Sequence, residues 1–224
     1  MIQISRLLIE SDIKDKKMKK NILLIAAVLV FGLANAQTAK FGIKGGMNIS
    51  DWSGDTEGLD VKSKIGFNIG GFAEIKLSDK FFIQPELLYS AQGIRVDNFE
   101  TEVDGVGFVT ADMKFNLSYV NIPVMFKYYA TEKFNIEAGP QIGFLTSAKI
   151  KTKVEGYGSS DVDVKDNFES VDFGLNFGAG YDFTEHFFAN VRYNLGLSNI
   201  AKTEEGEDAK INNSVFSLNV GYKF

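Results

Sequence analysis

The chain has no cysteine and a single histidine in 224 residues. After residue 40 no window approaches the roughly 18 consecutive apolar residues of a membrane helix. Each shortage closes a class of explanation. A secreted chain without thiols has no disulfides, so its stability must come from backbone pairing and packing. His186 falls in a tight polar turn between Glu185 and Phe187, with none of the partners that a catalytic triad or a zinc site requires. The chain is therefore read as a non-enzyme with no cofactor and no metal. Helical membrane spans are excluded by the missing apolar runs.

Basic residues are also in deficit. Met18–Gln37 reads MKKNILLIAAVLVFGLANAQ, a lysine-rich start, an apolar run and a small-x-small end, which is the pattern of a secretory signal. Cleavage is expected between Ala36 and Gln37, with residues 1–17 an upstream extension, 18–36 the signal peptide and 37–224 the mature domain. Removing 1–36 takes away six Lys/Arg and three Asp/Glu, leaving 18 basic and 26 acidic residues, net −8. That balance leaves no electrostatic footprint for nucleic acid.

What the chain has in abundance is Phe (20), Tyr (8) and Gly (22), arranged with a period of two. In the last strand Phe216, Leu218, Val220, Tyr222 and Phe224 alternate with Ser217, Asn219, Gly221 and Lys223. Val171–Phe183 and Phe187–Leu197 alternate in the same way. The turns Ser78-Asp79-Lys80-Phe81, Thr131-Glu132-Lys133-Phe134 and Thr184-Glu185-His186-Phe187 recur 53 residues apart, the signature of a repeated hairpin. Eight strands follow, near 40–49, 63–77, 81–93, 113–130, 134–147, 169–183, 187–198 and 212–224. Short turns alternate with long loops near 50–62, 94–112, 148–168 and 199–211. Such a pattern suits an all-β, eight-stranded antiparallel up-and-down transmembrane barrel.

In that reading the apolar faces meet lipid. Phe81, Phe82, Tyr128, Tyr129, Phe134, Phe183, Phe187, Phe188, Tyr222 and Phe224 form an aromatic girdle at the short-turn end. The opposite faces line a narrow lumen, where Glu74, Lys76, Glu86, Lys127, Glu137 and Arg192 form a polar network. Pro85, Pro123 and Pro140 fall inside strands and require bulges or locally broken pairing. Asp161–Asn167 resembles a calcium loop only faintly, because Lys165 occupies a ligand position and the glycine and terminal glutamate are missing; it reads as a solvated loop. Lys202–Lys210 reads as an acidic loop tip.

Phe41-Gly42-Ile43-Lys44-Gly45-Gly46-Met47-Asn48, Gln84-Pro85-Glu86-Leu87-Leu88-Tyr89-Ser90, Ile122-Pro123-Val124, Gly139-Pro140-Gln141, Arg192-Tyr193 and Tyr222-Lys223-Phe224 together resemble the PorT-like, "porin family" small outer-membrane barrels. The resemblance is more distant to barrels of the OmpA/OmpX type. It implies an integral protein of a Gram-negative outer membrane, in contact with lipid and lipopolysaccharide. It also implies a C-terminal signal, Tyr222 and Phe224, read by the barrel-assembly machinery. Four functions stay open at this point: a structural or interaction barrel binding an envelope or extracellular partner through its loops, a narrow channel for ions or small polar solutes, an accessory component of protein secretion, and a soluble lipocalin-like ligand binder.

Overall fold

The computed structural model describes residues 39–55, 61–103, 107–154, 158–202 and 210–224. The expected signal peptide and most of the 202–210 loop tip lie outside the described residues. Strands are β1 (Ala39–Gly54), β2 (Val61–Lys76), β3 (Phe81–Val103), β4 (Gly107–Tyr129), β5 (Phe134–Val154), β6 (Gly158–Asp163), β7 (Val171–Asp182), β8 (Phe187–Gly196) and β9 (Ile211–Lys223). β1 to β5 pair in order, β5 pairs β7, then β8 and β9 follow, and β9 returns to β1. The register Gly42↔Lys223 through Gly54↔Ile211 makes that last seam antiparallel. Eight strands thus form a closed ring, and β6 is an appendage on the upper half of β5.

The alternation seen in the sequence sets the two faces, and they are inverted relative to a water-soluble protein. Ile65, Phe67, Phe126, Ile136, Phe173, Phe177, Leu218 and Val220 are exposed on the outside. Glu74, Glu86, Asn121, Lys127, Glu137, Asn176, Arg192 and Asn219 are buried within. Along β8 and the residue that follows it, the outward row runs from Phe187 to Leu197; ten steps at about 3.3 Å, tilted by about 40°, lift it about 25 Å, the height of a lipid-facing band. Among the described residues no helix is long and apolar enough to cross a membrane.

Two expectations are corrected. The stretches near 94–112 and 148–168 are not simple loops. β3 and β4 continue pairing to Val103↔Gly107, and β5 continues to Val154, where β6 folds back on it. The polar composition there reflects strands that have left the apolar band, not an absence of strand. The girdle is half as populated at its doublets as expected, because neighbouring strand residues must face opposite sides. Phe81, Tyr128 and Phe187 point outward while Phe82, Tyr129 and Phe188 point inward, with Phe82 and Tyr129 in ring contact at 5.0 Å.

The prolines meet one of the two alternatives expected of them, locally broken pairing. The β2–β3 ladder skips from Phe72↔Glu86 to Ile75↔Ile83, β3–β4 from Pro85↔Val124 to Leu88↔Asn121, and β4–β5 from Pro123↔Gln141 to Phe126↔Ala138. Each gap sits beside a proline and none changes the register, so these are breaks in pairing and not bulges. The register shifts lie elsewhere, at Ser63/Asn68, Val96/Phe99 and Ser118/Tyr119. The gaps run as one diagonal seam across four strands. In detergent micelles, the amides of Glu86, Leu87, Val124 and Met125 are expected to exchange at least about tenfold faster than those of Lys127 and Tyr128; uniform protection along β4 would contradict this.

Candidate functional site: a lumen closed at three heights

At the short-turn end the lumen is filled by aromatic rings and a carboxylate–ammonium cluster. Phe72 on β2 meets Phe188 on β8 edge to face, with centroids 5.5 Å apart. Glycine makes room for both: a Cβ at Gly42 would stand 2.3 Å from Phe72 Cζ, and one at Gly221 would stand 2.3 Å from Phe188 Cζ. Lys127 Nζ donates to Glu74 Oε2 (2.7 Å) and Gln84 Oε1 (3.1 Å). Lys223 Nζ donates to Glu74 Oε1 (2.9 Å), Asp182 Oδ2 (2.8 Å) and the Tyr129 hydroxyl (3.0 Å). Both ammonium groups also lie within 6 Å of the Tyr129 and Phe188 ring centres, a cation–π arrangement that gains from exclusion of water.

One layer further in, Arg192 spans the barrel from β8 to β3. Its Nη1 donates to Glu86 Oε2 and its Nη2 to Glu86 Oε1, both at 2.9 Å. Nε and Nη2 also reach Glu137 Oε1 at 2.9 and 2.8 Å. The planar fork of guanidinium matches this bidentate geometry, which an ammonium could not reproduce. Lys44 Nζ stands 2.6 Å from Glu86 Oε2, Asn190 donates to Glu137 (2.8 Å), and Gln84 Nε2 donates to Glu86 (2.7 Å). Gln84 therefore joins the two clusters. Four cations, Lys44, Lys127, Arg192 and Lys223, face four carboxylates, Glu74, Glu86, Glu137 and Asp182, in direct ion pairs.

Above the ions comes a layer of amides and hydroxyls. Asn48, Asn68, Gln92, Asn121, Asn176 and Asn194 surround a cavity of about 30 Å³, room for about one water molecule. Higher still the character changes to apolar. Leu117 and Tyr119 on β4, Leu145 and Ala148 on β5, and Phe168 and Ile200 from the connections form a buried cluster, with Trp52, Phe115, Val164 and Ile211 packed against it. Trp52 on β1 meets Phe115 on β4 at 5.1 Å and Phe168 at 5.9 Å, so rings from strands on different sides of the barrel touch over its mouth. The connections are pinned there by backbone bonds, Glu169 N–H to Ile200 O and Ile200 N–H to Ile211 O, each 2.8 Å. Just beneath, Asp172 accepts from Ser198 Oγ and Asn213 Nδ2, both at 2.8 Å.

Of the six residues expected in the lumen network, the structure brings Glu74, Glu86, Lys127, Glu137 and Arg192 together. Lys76 stands apart. It has the inward parity, but it lies beside the first turn, is exposed, and pairs with Asp79 at 2.9 Å. Lys44, Lys223 and Asp182 also belong to the network, though absent from the expected set, and so does Tyr129, which was expected in the girdle and points inward. Their signal was the same parity, since Lys44 shares a face with Asn48 and Lys223 with Asn219. The apolar cap had no such signal, because Phe168 and Ile200 lie in connections without periodicity. His186 sits in its turn, Nδ1 2.8 Å from the Lys223 carbonyl, its ring stacked on Tyr222. Tyr222 packs between Phe187 and Phe224 on the outer face.

Because these charges are buried, removing one partner costs far more than the pair contributes. Arg192→Leu, which strands Glu86 and Glu137, is expected to destabilise the barrel by about 3–5 kcal/mol in urea unfolding from detergent micelles. Adding Glu86→Gln and Glu137→Gln should recover most of the loss, and a triple variant no more stable than the single one would contradict the network.

A family described as "Outer membrane protein beta-barrel domain" matches residues 35–202. Among solved structures, Ail of Yersinia pestis in complex with the heparin analogue sucrose octasulfate is 19% identical, covering 83% of this chain and 99% of its own, with a TM-score of 0.45. Neisserial surface protein A is 16% identical over 84% of this chain and 100% of its own (TM-score 0.48), and OprG of Pseudomonas aeruginosa is 15% identical over 83% and 96% (TM-score 0.42). Among curated proteins no relative matches the sequence. With three-quarters of its length under the family match and its aromatic rows turned outward, the chain belongs to the outer membrane protein β-barrel domain family.

Proposed function

We propose that the barrel is a closed outer-membrane scaffold that presents its long β-hairpins to a partner outside the cell, and that it does not conduct. One observation carries this reading: contacts cross the lumen at three heights, Phe72 to Phe188, Arg192 to Glu86, and Trp52 to Phe115. An eight-stranded ring has an interior that side chains just fill, and here they fill it with a balanced ion cluster below and an apolar cap above. A path for ions would need that cap to part and the four ion-paired cations to release their carboxylates.

In this reading the short turns and the chain's last strand face the periplasm, and the β3–β4 and β5–β6 hairpins project outward. Residues 18–36 act as the export signal cut before Gln37, and Tyr222 with Phe224 form the terminal mark for the assembly machinery. PorT-like membership and an accessory part in secretion rest on resemblance alone. A lipocalin-like binder is disfavoured by the outward rows of Phe, Leu and Ile.

Planar-bilayer recording should give no conductance steps from the wild-type barrel, and exchanging residues 95–113 for a short turn should leave a heat-modifiable folded band while abolishing partner binding. Steps of fixed amplitude that change in Arg192→Gln would favour the narrow channel instead.

A further inference from the structure

Beyond the apolar band, the register places four cations side by side on neighbouring strands: Lys62↔Arg95, Arg95↔Lys114 and Lys114↔Lys151. Directly opposed residues share a face of the sheet. That face is the outer one, because the alternate positions Ile94 and Leu117 are buried and Phe115 packs into the apolar cap, whereas Arg95, Lys114 and Lys151 are exposed. Like charges directly opposed are destabilising. The neighbouring rows avoid this by setting Asp112 against Lys153 and Lys149 against Asp163. In the cationic row acids stand only towards the ends: Asp97, 3.3 Å from Lys62 and 3.7 Å from Arg95, and Asp161 opposite Lys151. Lys114, in the middle, has no ion pair among the described residues.

We propose that this row, Lys62–Arg95–Lys114–Lys151, binds the phosphates of outer-leaflet lipopolysaccharide. The inference rests on the outward placement of the hairpins argued above. Height selects the ligand. Among the described side chains the last large apolar outward residue is Tyr89 on β3, Val120 on β4 and Phe144 on β5; Arg95 lies six residues past Tyr89, about 15 Å higher for a strand rising 3.3 Å per residue and tilted by about 40°. Between them the outward positions carry Ser118 and Asn116 on β4 and Thr146 and Lys149 on β5, polar residues suited to a sugar layer. Long cationic side chains can also bend back toward the interface. The row faces sideways from the barrel wall, into the leaflet, and not upward toward a soluble partner.

The test uses the full mature barrel refolded in uncharged detergent, with immobilised lipopolysaccharide, the same glycolipid stripped of its phosphates, and heparin as a soluble polyanion. The variant R95Q/K114Q/K151Q is expected to bind lipopolysaccharide about a hundredfold more weakly, from about fivefold per cation near an anionic lipid surface, and the wild type should lose a similar factor on the dephosphorylated glycolipid. Lys133→Gln, at the opposite end, should bind as wild type. In the absence of lipopolysaccharide the triple variant should be at least as heat-stable as the wild type, since it removes like-charge repulsion; lower stability would make the row structural and overturn the proposal. Undiminished binding by the variant would also overturn it, as would a wild type that prefers heparin and loses it on substitution. Should the triple variant not fold, Lys114→Gln alone, with an expected loss of about fivefold, decides. Failure of the membrane reading would show differently, as a wild type that stays soluble without detergent and has no heat-modifiable band.

Discussion

A closed ring of eight strands leaves its inward residues almost no water, and the rest of this structure answers to that constraint. A charge placed there has lost its hydration and must recover it from other side chains. The barrel meets the requirement by matching four cations with four carboxylates in direct contact. Arg192 takes the central place because its fork engages two carboxylates from different strands at once. The net result is a neutral girder that ties β1, β2, β3, β4, β5, β7, β8 and β9 to one another through the interior.

The outside imposes the opposite condition. With lipid as solvent, every backbone polar group in the band must be paired by a neighbouring strand, and the seam of gaps beside Pro85, Pro123 and Pro140 interrupts that pairing. Pro123 is fully buried and faces the lumen, while Pro140 is exposed on the outer wall. The gaps therefore lie between layers of side chains that are themselves well held, which explains how the register survives across each of them.

Closure at the mouth follows a different chemistry from closure at the base. The ions below are supplied by strands, whose spacing is regular, and the cap above draws on connections. Phe168 and Ile200 reach the cluster only because backbone bonds bring 168–169 against 200–201. Where β3, β4 and β5 leave the band they stay paired, keep an apolar inner face toward the cap, and turn charged residues outward. The same strands thus change solvent along their length, lipid first and polar surroundings afterward.

The linear sequence by itself determined the eight strands of the ring, their up-and-down order, the three short turns and which face of each strand is apolar, because a period of two assigns a residue's side from its neighbours alone. It also marked Glu74, Glu86, Lys127, Glu137 and Arg192 as inward. Parity could not say how high a residue sits, so Lys76 looked equivalent to Glu74 although it opens to solvent beside Asp79. It could not choose between members of the doublets Phe81-Phe82, Tyr128-Tyr129 and Phe187-Phe188. Only the closed tertiary structure decided these points, since stagger between strands fixes height, and height decides whether Lys44 meets Glu86, whether Trp52 meets Phe115, and whether four cations share a row.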